Sequence, residues 1–185
     1  MGLFDRKPNI GKLLQQSDYD SVIKALQHKD TGVRTEASAA LGKMGPKAVP
    51  QLLELANNED WHIRMLAVGA LGNIAQAAWR AGNIAKLNRD ALPTIAKALN
   101  DGDKNVRAHA SVALGNVGSP AVPYLPTALK SPNREVRELA AMALGTIGPA
   151  AKDAVSALTE KLQDENDGVR QVADMALKEI WRSKV

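Results

Sequence analysis

An all-α fold is what the sequence predicts: a right-handed α-solenoid, or superhelix, of about five stacked helix pairs behind a short N-terminal capping helix. Three observations lead there. The phrase VRTEASAALGKMG from Val33 returns as IRMLAVGALGNIA from Ile63, VRAHASVALGNVG from Val106, VRELAAMALGTIG from Val136 and VRQVADMALKEIW from Val169. Counting the first Val or Ile of each copy as zero, the recurrent apolar positions 0, 4, 7, 8 and 11 form one stripe on a helix. Composition agrees, since a chain rich in Ala and Leu with one Phe, two Tyr and three Trp suits close-packed helices better than sheets.

From the N-terminus, residues 1–17 include KPNIGKLLQQ, a short helix expected to cover the first repeat. Repeats then fall at about 18–45, 46–86, 87–118, 119–148 and 149–182, in one domain spanning 1–185. Each begins with a first helix, read from YDSVIKAL (19–26), VPQLLELA (49–56), LPTIAKAL (92–99), VPYLPTAL (122–129) and VSALTEKL (155–162), ending seven residues before the recurrent phrase. Pro50, Pro93 and Pro123 are expected near the first turn, where a missing N–H is harmless, while Pro126 should distort its helix. Asp30, Asp60, Asp103, Asn133 and Asn166, each three residues before the recurrent phrase, are N-cap residue types. Gly at position 9, and often at 12, is expected to loosen or end four of the five second helices. The last repeat has Lys178 at position 9, followed by Glu179 and Arg182, giving a terminal repeat its polar outer face.

Copies are spaced by 30, 43, 30 and 33 residues. A period near 30 marks a solenoid, in which one helix pair cannot bury its own stripe and its neighbours do so. The long gap holds an insertion at about 75–90, AQAAWRAGNIAKLNRD, which extends the second helix of repeat two into a protruding loop. Trp79, Arg80, Lys86 and Arg89 are available there, and loops that escape the period are where solenoids place specificity. Trp79 and Trp61 each admit two roles, contact with a partner or cover for a local apolar gap.

The absence of cysteine excludes a disulfide framework, a thiolate metal site and a cysteine nucleophile. No apolar run approaches bilayer-spanning length, and Asp5 interrupts any signal-peptide reading, so a cytoplasmic protein without membrane contact is expected. Gly2 fails the myristoylation pattern because Arg6 stands where Ser or Thr is wanted. Net charge is +4 with mixed signs, which permits an anionic partner without pointing to one.

The shared pattern, a capping Asp, Val-Arg three residues on, Ala-x-x-Ala-Leu-Gly, then an aliphatic residue and Gly, with Ala-Val-Pro-x-Leu following, resembles the short HEAT-like repeats of the phycobilisome-lyase type. The resemblance covers roughly residues 18–181. It implies a superhelix with the second helices on the concave side, and it is silent on activity, because the family includes scaffolds, bilin-lyase subunits, an iron-dependent hydroxylase and alkylpurine DNA glycosylases.

At about 100° per residue, positions 2, 6 and 9 point away from the buried stripe. Position 2 reads Thr35, Met65, Ala108, Glu138 and Gln171; position 6 reads Ala39, Gly69, Val112, Met142 and Met175. Position 10 adds a polar edge of Lys43, Asn73, Asn116, Thr146 and Glu179. Met65, Gly69, Asn73, Val112, Asn116, Met142, Thr146 and Met175, with Trp79 from the insertion, are therefore the candidate partner-binding residues, a groove for an extended peptide or an amphipathic helix. Glycines 69, 72, 115 and 145 would admit a close-lying ligand backbone. Tight stacking of adjacent second helices also demands small residues, and that reading stands beside the groove. Arg34, Arg64, Arg107, Arg137 and Arg170, at position 1, read as an inter-repeat ladder held by the capping Asp or Asn, in preference to a row of phosphate ligands.

No catalytic constellation emerges. His28, His62 and His109 lack metal-ligand spacing, the His-Glu pairs of the resembling hydroxylase are absent, and there is no phosphate loop, nucleophile elbow or zincin motif. A helical-repeat DNA glycosylase should line its concave side with Lys and Arg, whereas the basic residues here, Lys24, Lys47, Lys97, Lys130 and Lys152, fall on or beside first helices. The expected function is a non-enzymatic protein-interaction scaffold without cofactor. A bilin-lyase-like or chaperone-like subunit and a nucleic-acid-binding protein are the alternatives, and no signal bears on oligomeric state.

Overall fold

The structure is a computed structural model describing residues 7–83 and 87–182. It is all-α among the described residues. Helix α1 (Ile10–Gln15) buries Ile10 and packs on the first repeat as a cap. Helix pairs follow: α2 (Tyr19–Ala25) with α3 (Thr31–Met44), α4 (Val49–Leu55) with α5 (Trp61–Arg80), α6 (Leu87–Lys97) with α7 (Lys104–Val117), α8 (Leu125–Ala128) with α9 (Arg134–Ile147), and α10 (Val155–Lys161) with α11 (Asp167–Trp181).

The expected caps form. Asp30 accepts from the Val33 N–H at 3.1 Å, Asp60 from His62 at 2.9 Å, Asp103 from Asn105 at 2.7 Å, Asn133 from Glu135 at 2.9 Å, and Asn166 from Gly168 at 3.0 Å. At the other end the two glycine positions divide their roles. Gly45, Gly118 and Gly148 at position 12 take positive φ of 82°, 87° and 66° and stop α3, α7 and α9. Repeat two has Ala75 there, so α5 runs on to Arg80, as the insertion suggests. Position 9 does not end helices: Gly42, Gly72, Gly115 and Gly145 lie inside them.

Prolines shape the first helices. Pro50 sits in the first turn of α4. Pro93, expected at a helix start, lies inside α6, because that helix begins at Leu87 and Pro93 keeps to its exposed side. Around Pro123 and Pro126 the run breaks into a 3-10 segment, Ser119–Tyr124, and the one-turn α8.

Positions 0, 4, 7, 8 and 11 form the core as predicted, all buried except half-buried Met44, Ile147 and Leu177. The five second helices make a continuous layer, each packed on the next, with far more extensive contact than between first helices.

Candidate partner-binding face

What joins one repeat to the next decides which residues remain free. The arginine ladder exists, and its geometry is repetitive. One terminal nitrogen of each guanidinium donates to carbonyls of the turn before its own helix: Arg34 to His28 and Lys29, Arg64 to Asn58 and Glu59, Arg107 to Asp101 and Gly102, Arg137 to Ser131 and Pro132, Arg170 to Asp164. In the middle three the other side reaches the next repeat, but not its capping residue, whereas Arg34 turns to Thr31 and Arg170 to Asp167 of its own helix. Arg64 grips Asp101 through two bonds of 2.8 Å, Arg107 pairs with Glu135, and Arg137 donates to Asp164 at 2.8 Å and Glu165 at 3.2 Å. The caps spend an oxygen on helix N–H groups; the acids used stand one or two residues before or after them.

The two buried-side carboxylates of the ladder are electrostatically set by it. The Arg64 hydrogen bond outweighs partial burial and holds Asp101 below the ordinary carboxylate range. At Asp164 burial pulls upward, yet the Arg137 bond and the Asn166 N–H overcome it, and the net shift is again downward.

Joints between repeats alternate in kind. Between repeats one and two, and again between three and four, a buried serine hydroxyl crosses to a backbone carbonyl: Ser38 to Leu66 at 3.0 Å and Ser111 to Leu139 at 2.8 Å. At these joints a position-9 glycine lies under a position-10 residue, with a Cβ on Gly42 or Gly115 falling 2.8 or 2.9 Å from the Cβ of Asn73 or Thr146. At the other two joints Asp101 and Asp164 supply the ladder acid. There a Cβ on Gly72 would lie 2.6 Å from the Ala113 Cβ, and one on Gly145 would lie 3.1 Å from the Ala176 Cα.

Position 9 therefore faces the neighbouring second helix, and Gly72, Gly115 and Gly145 are packing sites, not openings for a ligand. A second helix has a neighbour on its flank as well as its own first helix beneath, so its buried arc is wider than a single stripe. Gly69 differs: nothing lies within 4 Å of its Cβ direction.

Position 6 is the part left open. Val112 is 61% exposed, Met142 52% and Met175 64%, on the consecutive helices α7, α9 and α11. Asn73, Asn116 and Thr146 are exposed beside them, Gly69 is half-buried, and Met65 packs partly on the core. Trp79 lies apart on the α5 extension, 44% exposed, with its indole nitrogen beside Gly118 at the end of α7. On the same extension Gln76 donates to the Asn116 carbonyl at 2.8 Å, and Ala75 and Ala78 are buried. Trp61 is half-buried and stacks on His62, ring centroids 3.4 Å apart. Lys86 and the Arg89 side chain lie outside the described residues.

The residues set aside for catalysis have structural surroundings. The Asp30 N–H donates to His28 Nδ1 at 3.0 Å, and His109 Nδ1 lies 3.0 Å from the Asn105 carbonyl. Among the described residues no three His, Cys, Asp or Glu side chains gather as a metal-ligand set, and no helix is long and apolar enough to cross a membrane. Lys24, Lys47, Lys97, Lys130 and Lys152 are all exposed, on or beside first helices.

Sequence reasoning did not identify the serine crossings or the joint acids. Ser38 and Ser111 at position 5 carried a signal, since a polar residue recurs there in repeats one and three. One more exposed apolar residue escaped it: Trp181, 62% exposed, borders a cleft of about 1090 Å³ with Ile147, Pro149 and Lys152 at the end of the array.

Similarity to known proteins follows the fold. A subunit chain in the complex of CpcE and CpcF of phycocyanin lyase from Nostoc sp. PCC7120 superposes with a TM-score of 0.62 at 21% identity, over 87% of this chain and 98% of that one. A designed armadillo repeat protein in complex with the peptide (KR)4 gives 0.55 at 20% identity, over 95% and 87% of the two chains. An engineered protein gives 0.54 at 26% identity, over 92% and 82%. No curated protein matches the chain significantly. The family model for HEAT repeats matches residues 19–82 and 92–178, and on that match together with the stacked helix pairs the chain belongs to the HEAT repeat family.

Proposed function

We propose that this protein is a non-enzymatic interaction scaffold of the cytoplasm that holds an extended peptide or an amphipathic helix of a partner protein across its second helices, the concave side. The carrying observation is the exposure of Val112, Met142 and Met175 at one position of three consecutive helices, while position 9 beside them is sealed by inter-repeat contact. Large apolar side chains left open in register on a rigid layer favour a partner's apolar ridge, and the neutral edge of Asn73, Asn116 and Thr146 suits hydrogen bonding to peptide groups. Gly69 and Met65 would extend the strip toward repeat one, and Trp79 would flank it. The designed armadillo repeat protein in complex with peptide (KR)4 is a precedent for peptide capture by an array of similar fold.

The test compares capture from source-cell lysate by the wild-type chain, by Val112→Glu plus Met142→Glu, and by a Lys97→Glu plus Lys130→Glu control on the first-helix side. A defined protein lost only by the Val112/Met142 variant supports the reading. Equal capture by all three refutes the face. A lyase-subunit reading has the likeness to CpcE and CpcF behind it, and a pigment absorbance co-purifying with the chain would move the function there.

A further inference from the structure

We propose that Met142 and Met175 form a peroxide-modifiable pair whose oxidation to sulfoxide switches the second-helix face off without unfolding the array. The modification stands on exposure alone, while its effect on binding rests on the scaffold reading above.

Four methionines are described. Met44 and Met65 are half-buried and packed against the core, whereas Met142 and Met175 are 52% and 64% exposed. The exposed two share position 6 of adjacent helices, and both side chains point away from the stripe that holds the repeats together. Their neighbours in the chain, Ala141 and Ala143 beside Met142 and Ala176 beside Met175, are buried, so the backbone under each thioether is fixed.

A thioether lone pair attacks one oxygen of hydrogen peroxide; the O–O bond breaks, the S–O bond forms, and the other oxygen leaves as water. Sulfur loses two electrons and peroxide gains them. A dithiol-dependent sulfoxide reductase reverses the step, the oxygen leaving as water while the dithiol becomes a disulfide. Rate follows access of the oxidant, which favours the exposed pair. The product replaces a flexible apolar tip by a polar, strongly hydrogen-bond-accepting one. On a core residue that change would disrupt packing; at position 6 it alters only what the face offers a partner. With Val112 the one unmodifiable member of the three large apolar residues exposed at position 6, double oxidation removes most of the ridge.

The experiment titrates the full native chain with hydrogen peroxide, maps sulfoxides by peptide mass spectrometry, and follows circular dichroism and partner capture. Met142 and Met175 are expected to oxidise about tenfold faster than Met44 and Met65. Dichroism stays unchanged, and capture falls about tenfold and returns on reductase treatment. A Met142→Leu plus Met175→Leu chain keeps capture and loses its sensitivity to peroxide. Equal oxidation rates at all four methionines, or undiminished capture by chain fully oxidised at both, overturn the proposal. In the latter case, loss of capture by Val112→Glu plus Met142→Glu shows that the docking face itself survives.

Discussion

Placing a methyl group on Gly72 pits helix propensity against packing. The site is inside α5, where replacing Gly by Ala ordinarily stabilises a helix by about 1 kcal/mol. Here the new Cβ would lie 2.6 Å from the Cβ and 3.3 Å from the Cα of Ala113 on α7. Carbon atoms in contact prefer about 3.5–4.0 Å, so α7 must retreat by about 1 Å. No flexible side chain can absorb the shift, because the opposing atoms are backbone and the first carbon of an alanine. Overpacking of this kind costs about 1–3 kcal/mol, and after the propensity gain a net loss of up to about 2 kcal/mol is expected. Gly69, three residues earlier on the same helix, meets nothing within 4 Å, so Gly69→Ala should instead gain about 0.5–1 kcal/mol. Thermal unfolding of the two variants beside wild type separates the effects: at about 2–4 °C per kcal/mol for a chain of this size, the midpoints move in opposite directions. A Gly72→Ala midpoint at or above wild type would refute the reading of position 9 as an inter-repeat contact.

Four further outcomes follow from the same geometry. Asn58 accepts the Asp60 N–H at 2.9 Å as Asp101 accepts that of Asp103, but it offers no charge to Arg34, whose Nε is buried without a partner; Asn58→Asp should complete that rung, raise stability by about 0.5–1 kcal/mol, and lose the gain in high salt. Arg137→Met leaves the Asp164 carboxylate, 5% exposed, with only the Asn166 N–H at 3.1 Å and Lys161 at 3.6 Å, and should cost about 1.5–3 kcal/mol by urea denaturation; a cost under 1 kcal/mol would show the pair to be idle. Because the folded-state values of Asp101 and Asp164 are depressed, their contribution is fully present above the unfolded value near pH 4 and disappears as pH falls through the lower folded values. Wild-type stability should therefore fall steeply below about pH 4, and Asp101→Asn plus Asp164→Asn should start lower and titrate more weakly in that window. Val112→Glu plus Met142→Glu should unfold within about 0.5 kcal/mol of wild type, which calorimetry can check, since neither residue is part of the core.

Helix pairing, caps and core were legible because each is a local pattern: an Asp or Asn three residues before a stripe means the same in every copy. Position 9 was not, because a stripe drawn on one helix has one buried direction and cannot register a second helix lying against its flank. The ladder was foreseen from Arg at position 1, while its acids were misplaced, since choosing among Asp101, Asp103 and Glu135 requires knowing which oxygens the helix N–H groups have already taken. Pro93 was misplaced for want of a visible start to α6, whose first residues come from the insertion and carry no repeat signature. The exposure of Val112, Met142 and Met175 was readable from angle alone, being opposite the stripe and clear of both flanks.

The alternation of joints has a consequence for how such an array can change length. Serine crossings and aspartate rungs come by turns, so a single repeat is not an interchangeable brick: its leading and trailing surfaces are of different make. Inserting one would set a trailing surface against a leading surface of the wrong kind, a glycine seat shaped for a position-10 side chain meeting a position-7 alanine or the reverse. Inserting two restores the order. The grain of this molecule is thus the double repeat, and any lengthened or shortened version that folds well should differ from it by an even number of repeats.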